Sequence, residues 1–173
     1  MSTVIDTSTL ISLVRISYLE LIPKLRETVL IPEEVYEEAV VTGEEKALAD
    51  ATVIKQFITT YGVKITRVKD DFIQKLKGKI NKTLTKGDEA VIALALQEKV
   101  KEIITDDEGL AKIAMALGFR IKASPDLLLE GLKDKLMSFQ DFESFIKGLV
   151  VENRLSSIVA ELYLMEGKKN AKD

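Results

Sequence analysis

The sequence predicts an α/β fold: a three-layer sandwich in which helices cover both faces of a central, mostly parallel sheet. Three observations lead there. Short apolar runs such as Ile103-Ile104 are continuous rather than alternating, as in strands buried on both faces. Most of these runs are followed at once by residues with helical apolar spacing. The resulting βα order, joined by right-handed crossovers, produces parallel neighbours with helices on both sides.

The composition restricts the chemistry. The 173 residues are 46% hydrophobic and 31% charged, with a mean hydropathy of +0.08, which suits one compact domain with its own core. We expect that domain over residues 1–165, including C-terminal helices from about 125, with 166–173 as a charged, frayed tail. No apolar run approaches the roughly 18 residues of a membrane span. The N-terminus lacks a basic segment followed by a long apolar stretch, so a cytoplasmic protein without membrane contact is expected. The chain has no Cys and no His, which excludes disulfide frameworks, zinc fingers and Cys-His or Ser-His-Asp nucleophiles. A catalyst here must use carboxylates, hydroxyls, Lys, Arg or Tyr. The net charge of -3 gives no global attraction for nucleic acid and leaves room only for a local basic rim.

In chain order, 2–5 reads as a strand ending at Asp6. Thr7, Ser8 and Thr9 then lead into a helix with Leu10, Leu13 and Val14 on one stripe. A short helix over 18–25 precedes a strand over 28–31, and Pro32 opens a helix over 33–41. In that helix Glu33 and Glu34 complement the dipole, whereas Glu38, three residues after Val35, lies near the apolar edge and Glu37 beside it. A turn is expected over 42–45, a helix over 46–61 ended by Gly62, and an alternating strand over 63–68. A charged helix occupies 69–81. The segment from Leu84 opens an almost wholly apolar helix whose first turn carries Asp88 and Glu89, with Thr85 an equally good cap. The strand at Ile103-Ile104 is bounded by charge and followed by Thr105, Asp106 and Asp107, then by a helix closed near Gly118. A strand over 119–122 follows, and the remainder is helical over 125–132, 139–150 and 155–165.

Several acids therefore sit where ligands bind in open α/β sheets, outside the carboxyl ends of strands. Asp6 and the Asp106-Asp107 pair end strands, Asp88 starts a helix and Glu38 lies within one. Each alone is accounted for by helix capping or solvation. Together, four acids from distant parts of the chain over one sheet edge repel unless protonated or neutralised by a cation. Oxygen-only ligands point to Mg²⁺ or Mn²⁺, and such a site suits hydrolysis of a phosphodiester.

Over residues 4 to about 164 the chain resembles a PIN domain, and more closely the archaeal and bacterial group akin to toxin ribonucleases of VapC type. VIDTSTLISL is similar to the family's opening strand, IPEEVYEEA to the segment with the helical acid, LTKGDEAVIALAL to the third motif and IITDDEGLAKIAMALG to the fourth. The resemblance implies Asp6, Glu38, Asp88 and Asp107 as catalytic acids and Asp6, Asp88, Asp106 and Asp107 as metal ligands. Ser8, Glu37, Glu89 and Thr105 support them, with Glu89 a slipped alternative to Asp88. The chain departs from its relatives after the last strand, where Ala123-Ser124-Pro125-Asp126 replaces a glycine-rich turn. The implied function is Mg²⁺- or Mn²⁺-dependent cleavage of single-stranded or structured RNA, by a homodimer and, for toxins, under control of an antitoxin. The alternative is an inactive PIN-like RNA-binding or assembly subunit. A phosphoacceptor receiver domain is disfavoured because its acidic pair would lie on the first strand, and a haloacid-dehalogenase-like phosphatase because Ser8 stands where a second Asp is needed. A dimer is also expected from apolar helical surface over 10–25 and in the C-terminal helices. Candidate cations for RNA are Arg15, Lys82, Lys86 and Lys112.

Overall fold

The computed structural model describes residues 1–170. Its sheet has five strands in the order β3-β2-β1-β4-β5, comprising β1 (Ser2–Ile5), β2 (Thr28–Pro32), β3 (Lys64–Thr66), β4 (Glu102–Ile104) and β5 (Arg120–Lys122). Every neighbouring pair is parallel. The chain moves outward from β1 to β2 and β3, then crosses to β4 and β5 on the other side. This places the reversal of strand order between β1 and β4. The register Val4↔Ile103 and Ile5↔Ile104 sets Asp6 beside Thr105 at that crevice.

The first half of the chain supplies α1 (Thr7–Arg15), α2 (Leu21–Leu25), α3 (Glu33–Tyr36), a π-helical turn (Glu37–Val41), α4 (Thr42–Glu45) and α5 (Ala49–Tyr61). The second half supplies α6 (Asp70–Lys77), α7 (Lys86–Gln97), α8 (Glu108–Ala116), α9 (Ser124–Lys133), α10 (Phe139–Val151) and α11 (Ser157–Asn170). The apolar helix α7 packs on β1, β2 and β4 and is fully buried from Ala90 to Ala95. The expected three-layer α/β/α arrangement is what the chain adopts.

Some boundaries differ from expectation. The turn expected over 42–45 is helical, because Gly43 lets α4 lie directly on Ala51 of α5, and the chain turns instead at Ala47 with φ 54°. The strand expected over 63–68 pairs only over Lys64–Thr66. The frayed tail expected from 166 is helical to Asn170, since Gly167 seats α11 against the Phe142 ring; residues 171–173 lie outside the described residues. Apolar side chains over 10–25 are mostly buried within the chain, so they offer no surface for a dimer. Among the described residues no helix is long and apolar enough to cross a membrane.

At the opposite end of β1 from Asp6, a buried ion cluster fastens the sheet. Glu102, read from the sequence as part of a charged strand boundary, is inside the fold at 2% exposure. Its two carboxylate oxygens take hydrogen bonds of 2.6 and 3.2 Å from Arg26, which also donates to both oxygens of Glu130 on α9 at 2.6 and 3.0 Å. The Arg26 guanidinium holds the Glu130 carboxyl below its ordinary range. Breaking a buried pair strands the remaining charge, so Arg26→Met is expected to cost about 3–5 kcal/mol in urea unfolding. A loss within experimental error would contradict this account.

Candidate active site

The site is built on the end of β1. Asp6 leaves the strand in an extended conformation and caps α1 by accepting the Thr9 N–H on Oδ1 at 3.0 Å. Its Oδ2 accepts the hydroxyls of Ser8 and Thr105, both at 2.6 Å. The residue is only 5% exposed, and burial pushes its carboxyl up from the usual range despite the opposing hydrogen bonds from Ser8, Thr105 and Thr9. The two hydroxyls also reach the other aspartate loop. Ser8 Oγ accepts the Asp106 N–H at 3.1 Å, and Thr105 Oγ1 accepts the Asp107 N–H at 3.0 Å.

Above Asp6 lies a pocket of about 180 Å³ that Glu38, Asp88 and Asp107 also line. Ser8, Thr7, Thr85 and Gly87 complete its polar wall, and among the described residues no Lys or Arg lines it. Glu38 projects from the π-helical turn, a deformation frequent at functional sites, and accepts the Thr7 hydroxyl on Oε2 at 3.0 Å. Gly87 makes room for that carboxylate: a Cβ there would stand 3.2 Å from Glu38 Oε2. The cap of α7 is Thr85, whose Oγ1 accepts the Asp88 N–H at 3.1 Å, so the Asp88 carboxylate is not needed as a cap. Asp107 caps α8 through the Leu110 N–H at 2.7 Å and still borders the pocket.

The structure thus brings together Asp6, Ser8, Glu38, Asp88 and Asp107, with Thr105 directly behind Asp6. Three expected positions fall elsewhere. The Asp106 carboxylate turns away to accept both the N–H and the hydroxyl of buried Ser124 at 2.6 Å, so it anchors α9 rather than lining the pocket; the chain bends at Asp106, which parts it from Asp107. Glu37 is exposed and outside the pocket lining, and Glu89 lies 3.6 Å from Lys77. Thr7, Thr85 and Gly87 gained no site role from the sequence, although Thr7 and Gly87 each adjoin an acid of the site. Arg154 had no signal at all: it donates to Ser8 O at 2.8 Å and Ser12 Oγ at 2.9 Å, pinning the first turns of α1 from the α10–α11 connection.

Among the described residues no three acids form a ready cation cage. The four carboxylates line a pocket without forming such a cage, and among the described residues no cationic side chain lines it. The raised Asp6 carboxyl has a definite sign for stability. Its contribution is fully present below the ordinary value of 3.8 and is lost as pH rises through the raised folded-state value. In EDTA, Asp6→Asn should therefore melt above the parent near neutral pH, and the gap should close as pH falls toward about 4. A gap that is constant with pH would show that the buried charge is not its source.

A family model, DUF3368, described as a PIN domain, matches residues 2–163. No curated protein and no solved structure matches the chain. The match spans β1, the π-helical turn, α7 and α8, the four elements that carry the pocket acids. By that match over nearly the whole described chain, and by the parallel sheet that carries it, the chain belongs to the PIN-domain family, whose fold is that of nucleases.

Proposed function

We propose that the chain is a Mg²⁺- or Mn²⁺-dependent endoribonuclease that hydrolyses RNA phosphodiester bonds. The observation that carries this reading is one pocket lined by Asp6, Glu38, Asp88 and Asp107 with no cationic side chain among its lining residues. The donor set fits a hard divalent ion, because it consists of carboxylate and hydroxyl oxygens in a chain without His or Cys. Asp6, Asp88 and Asp107 would hold it. When bound, such an ion neutralises charge on the phosphodiester and favours attack by water.

The chain's own groups supply the order. Ser8, Thr105 and the Thr9 N–H fix both oxygens of Asp6. Thr7 fixes one oxygen of Glu38, leaving the other to accept a proton from the attacking water at the pocket edge. The similarity of the motifs to VapC-type toxins supports RNA as substrate and a toxin role, with an antitoxin as a separate chain. The absence of a ready cation cage among the described residues favours the second reading, an inactive RNA-binding or assembly subunit.

Asp88→Asn separates the two. The substitution leaves the Thr85 cap intact and removes one of four mutually repelling charges, so thermal stability in EDTA should hold or rise. Changes one shell out from a metal commonly cost about 10–100-fold, so losing a ligand should lower Mg²⁺-dependent cleavage of a mixed RNA pool by on the order of 100-fold or more. Cleavage at the parent rate would reject Asp88 as a ligand, and a parent without Mg²⁺-dependent cleavage would leave the binding-subunit reading.

A two-fold homodimer through α11 is the assembly we propose. Ile158, Leu162 and Met165 recur at helical spacing and are 79%, 61% and 58% exposed, more apolar surface than an isolated helix face needs. Light scattering at micromolar concentration should give the dimer mass for the parent and the monomer mass for Ile158→Glu combined with Leu162→Glu. A monomeric parent would reject the interface.

A further inference from the structure

A second concavity is lined by the two chain segments that lead to and from the acid pocket. It is a groove of about 320 Å³ lined on one wall by Lys79, Ile80 and Lys82 and on the other by Lys112, Ile113 and Leu117. Its lining segments continue in sequence into residues of the acid pocket. Residues 79–82 run into Thr85, Gly87 and Asp88, which line that pocket, and Lys112, Ile113 and Leu117 lie along and just beyond the helix that Asp107 caps. At 1.5 Å per residue, these positions begin about 8 Å from Asp107 and end about 15 Å from it.

The charge of this region is unlike that of the whole chain. Between Asp71 and Asp88 the sequence holds Lys75, Lys77, Lys79, Lys82 and Lys86 and no acid, within a protein of net charge -3. Lys77 is offset by Glu89. Among the described residues Lys79, Lys82 and Lys86 make no ion pair, and Lys112 has only Glu108 at 3.6 Å, with both side chains largely in solvent. Such an exposed pair yields readily to a competing anion. Between the ammonium groups the floor is apolar, formed by half-buried Ile80, Ile113 and Leu117.

Cations on both walls and an apolar floor match a chain that carries regular backbone anions and flat apolar side groups. We propose that this groove holds a single-stranded nucleic-acid segment flanking the phosphodiester delivered to the acid pocket, with phosphates on Lys79, Lys82 and Lys112 and a base on the apolar floor. An acidic peptide would satisfy the lysines but leave the apolar floor unused. The proposal rests on the nuclease reading for the position of the scissile bond; the binding groove itself does not require cleavage.

The test is fluorescence anisotropy of a labelled single-stranded RNA of about 12 nucleotides against the full chain in EDTA, over a salt series. The Lys79→Gln, Lys82→Gln, Lys112→Gln triple variant should bind at least about tenfold more weakly, and its log K against log salt slope should be shallower by about 2, from roughly 0.7 per lost phosphate contact. Ile113→Ser should weaken binding without changing the slope. A control triple with the same charge change, Lys133→Gln, Lys135→Gln and Lys147→Gln, should retain parent affinity. The proposal is overturned if the two triples behave alike or if the parent does not bind this RNA. If the triple does not fold by circular dichroism, Lys82→Gln alone, in the connection before α7, should bind more weakly than Lys133→Gln with a slope shallower by about 0.7. Groove-dependent binding in a protein that never cleaves would sink the nuclease reading and keep the groove; full cleavage and binding by the groove triple would do the reverse.

Discussion

The pairing of β1 with β4 is the constraint on which the site depends. Val4, Ile5, Ile103 and Ile104 are completely buried, and a register slip of one residue would unseat one strand's packed side chains and part Asp6 from Thr105. With the register held, the Asp6 N–H donates to Ile104 O at 3.2 Å and the Asp6 carboxylate meets the Thr105 hydroxyl. A buried carboxylate is costly, and here three donors from two neighbouring chain segments surround it. The apolar core therefore decides where the most strongly desolvated acid of the pocket stands.

Helix starts do the rest of the positioning. Asp6 and Asp107 cap α1 and α8, while Asp88 lies in the first turn of α7, so three of the pocket's four acids stand at helix N-termini. The positive ends of those helices partly offset mutual repulsion, which helps to explain how the acids share a pocket that no Lys or Arg among the described residues lines. Capping and catalysis are therefore not rival explanations for Asp6 and Asp107: the cap uses one oxygen, Oδ1, and leaves the other to face elsewhere. Only Asp88 is relieved of the capping task, by Thr85.

The C-terminal helices brace this arrangement. Ser124 holds Asp106, Arg154 holds the backbone of Ser8, and Tyr163 donates to Asp126 at 2.6 Å, with burial and that carboxylate pushing its phenol up. Asp126 in turn accepts the Ala123 N–H at the start of α9. The stretch Ala123 to Asp126 thus ties the aspartate loop to α9 and α11.

The sequence by itself determined the α/β class and the order of strands and helices, because apolar periodicity is a local signal, and it singled out Asp6, Glu38, Asp88 and Asp107, which line one pocket. It also excluded His and Cys chemistry outright. Tertiary structure alone decided which of two adjacent acids faces the pocket. In the sequence Asp107 stood ahead of Asp106, and Asp88 ahead of Glu89, by resemblance alone; physically each pair separates when Ser124 takes Asp106 and Lys77 takes Glu89. The same holds for Arg26, Glu102 and Arg154, whose partners lie 76 to 146 residues away along the chain. No local pattern encodes such pairs: a charge is bound for the core or for solvent according to what the fold places opposite it.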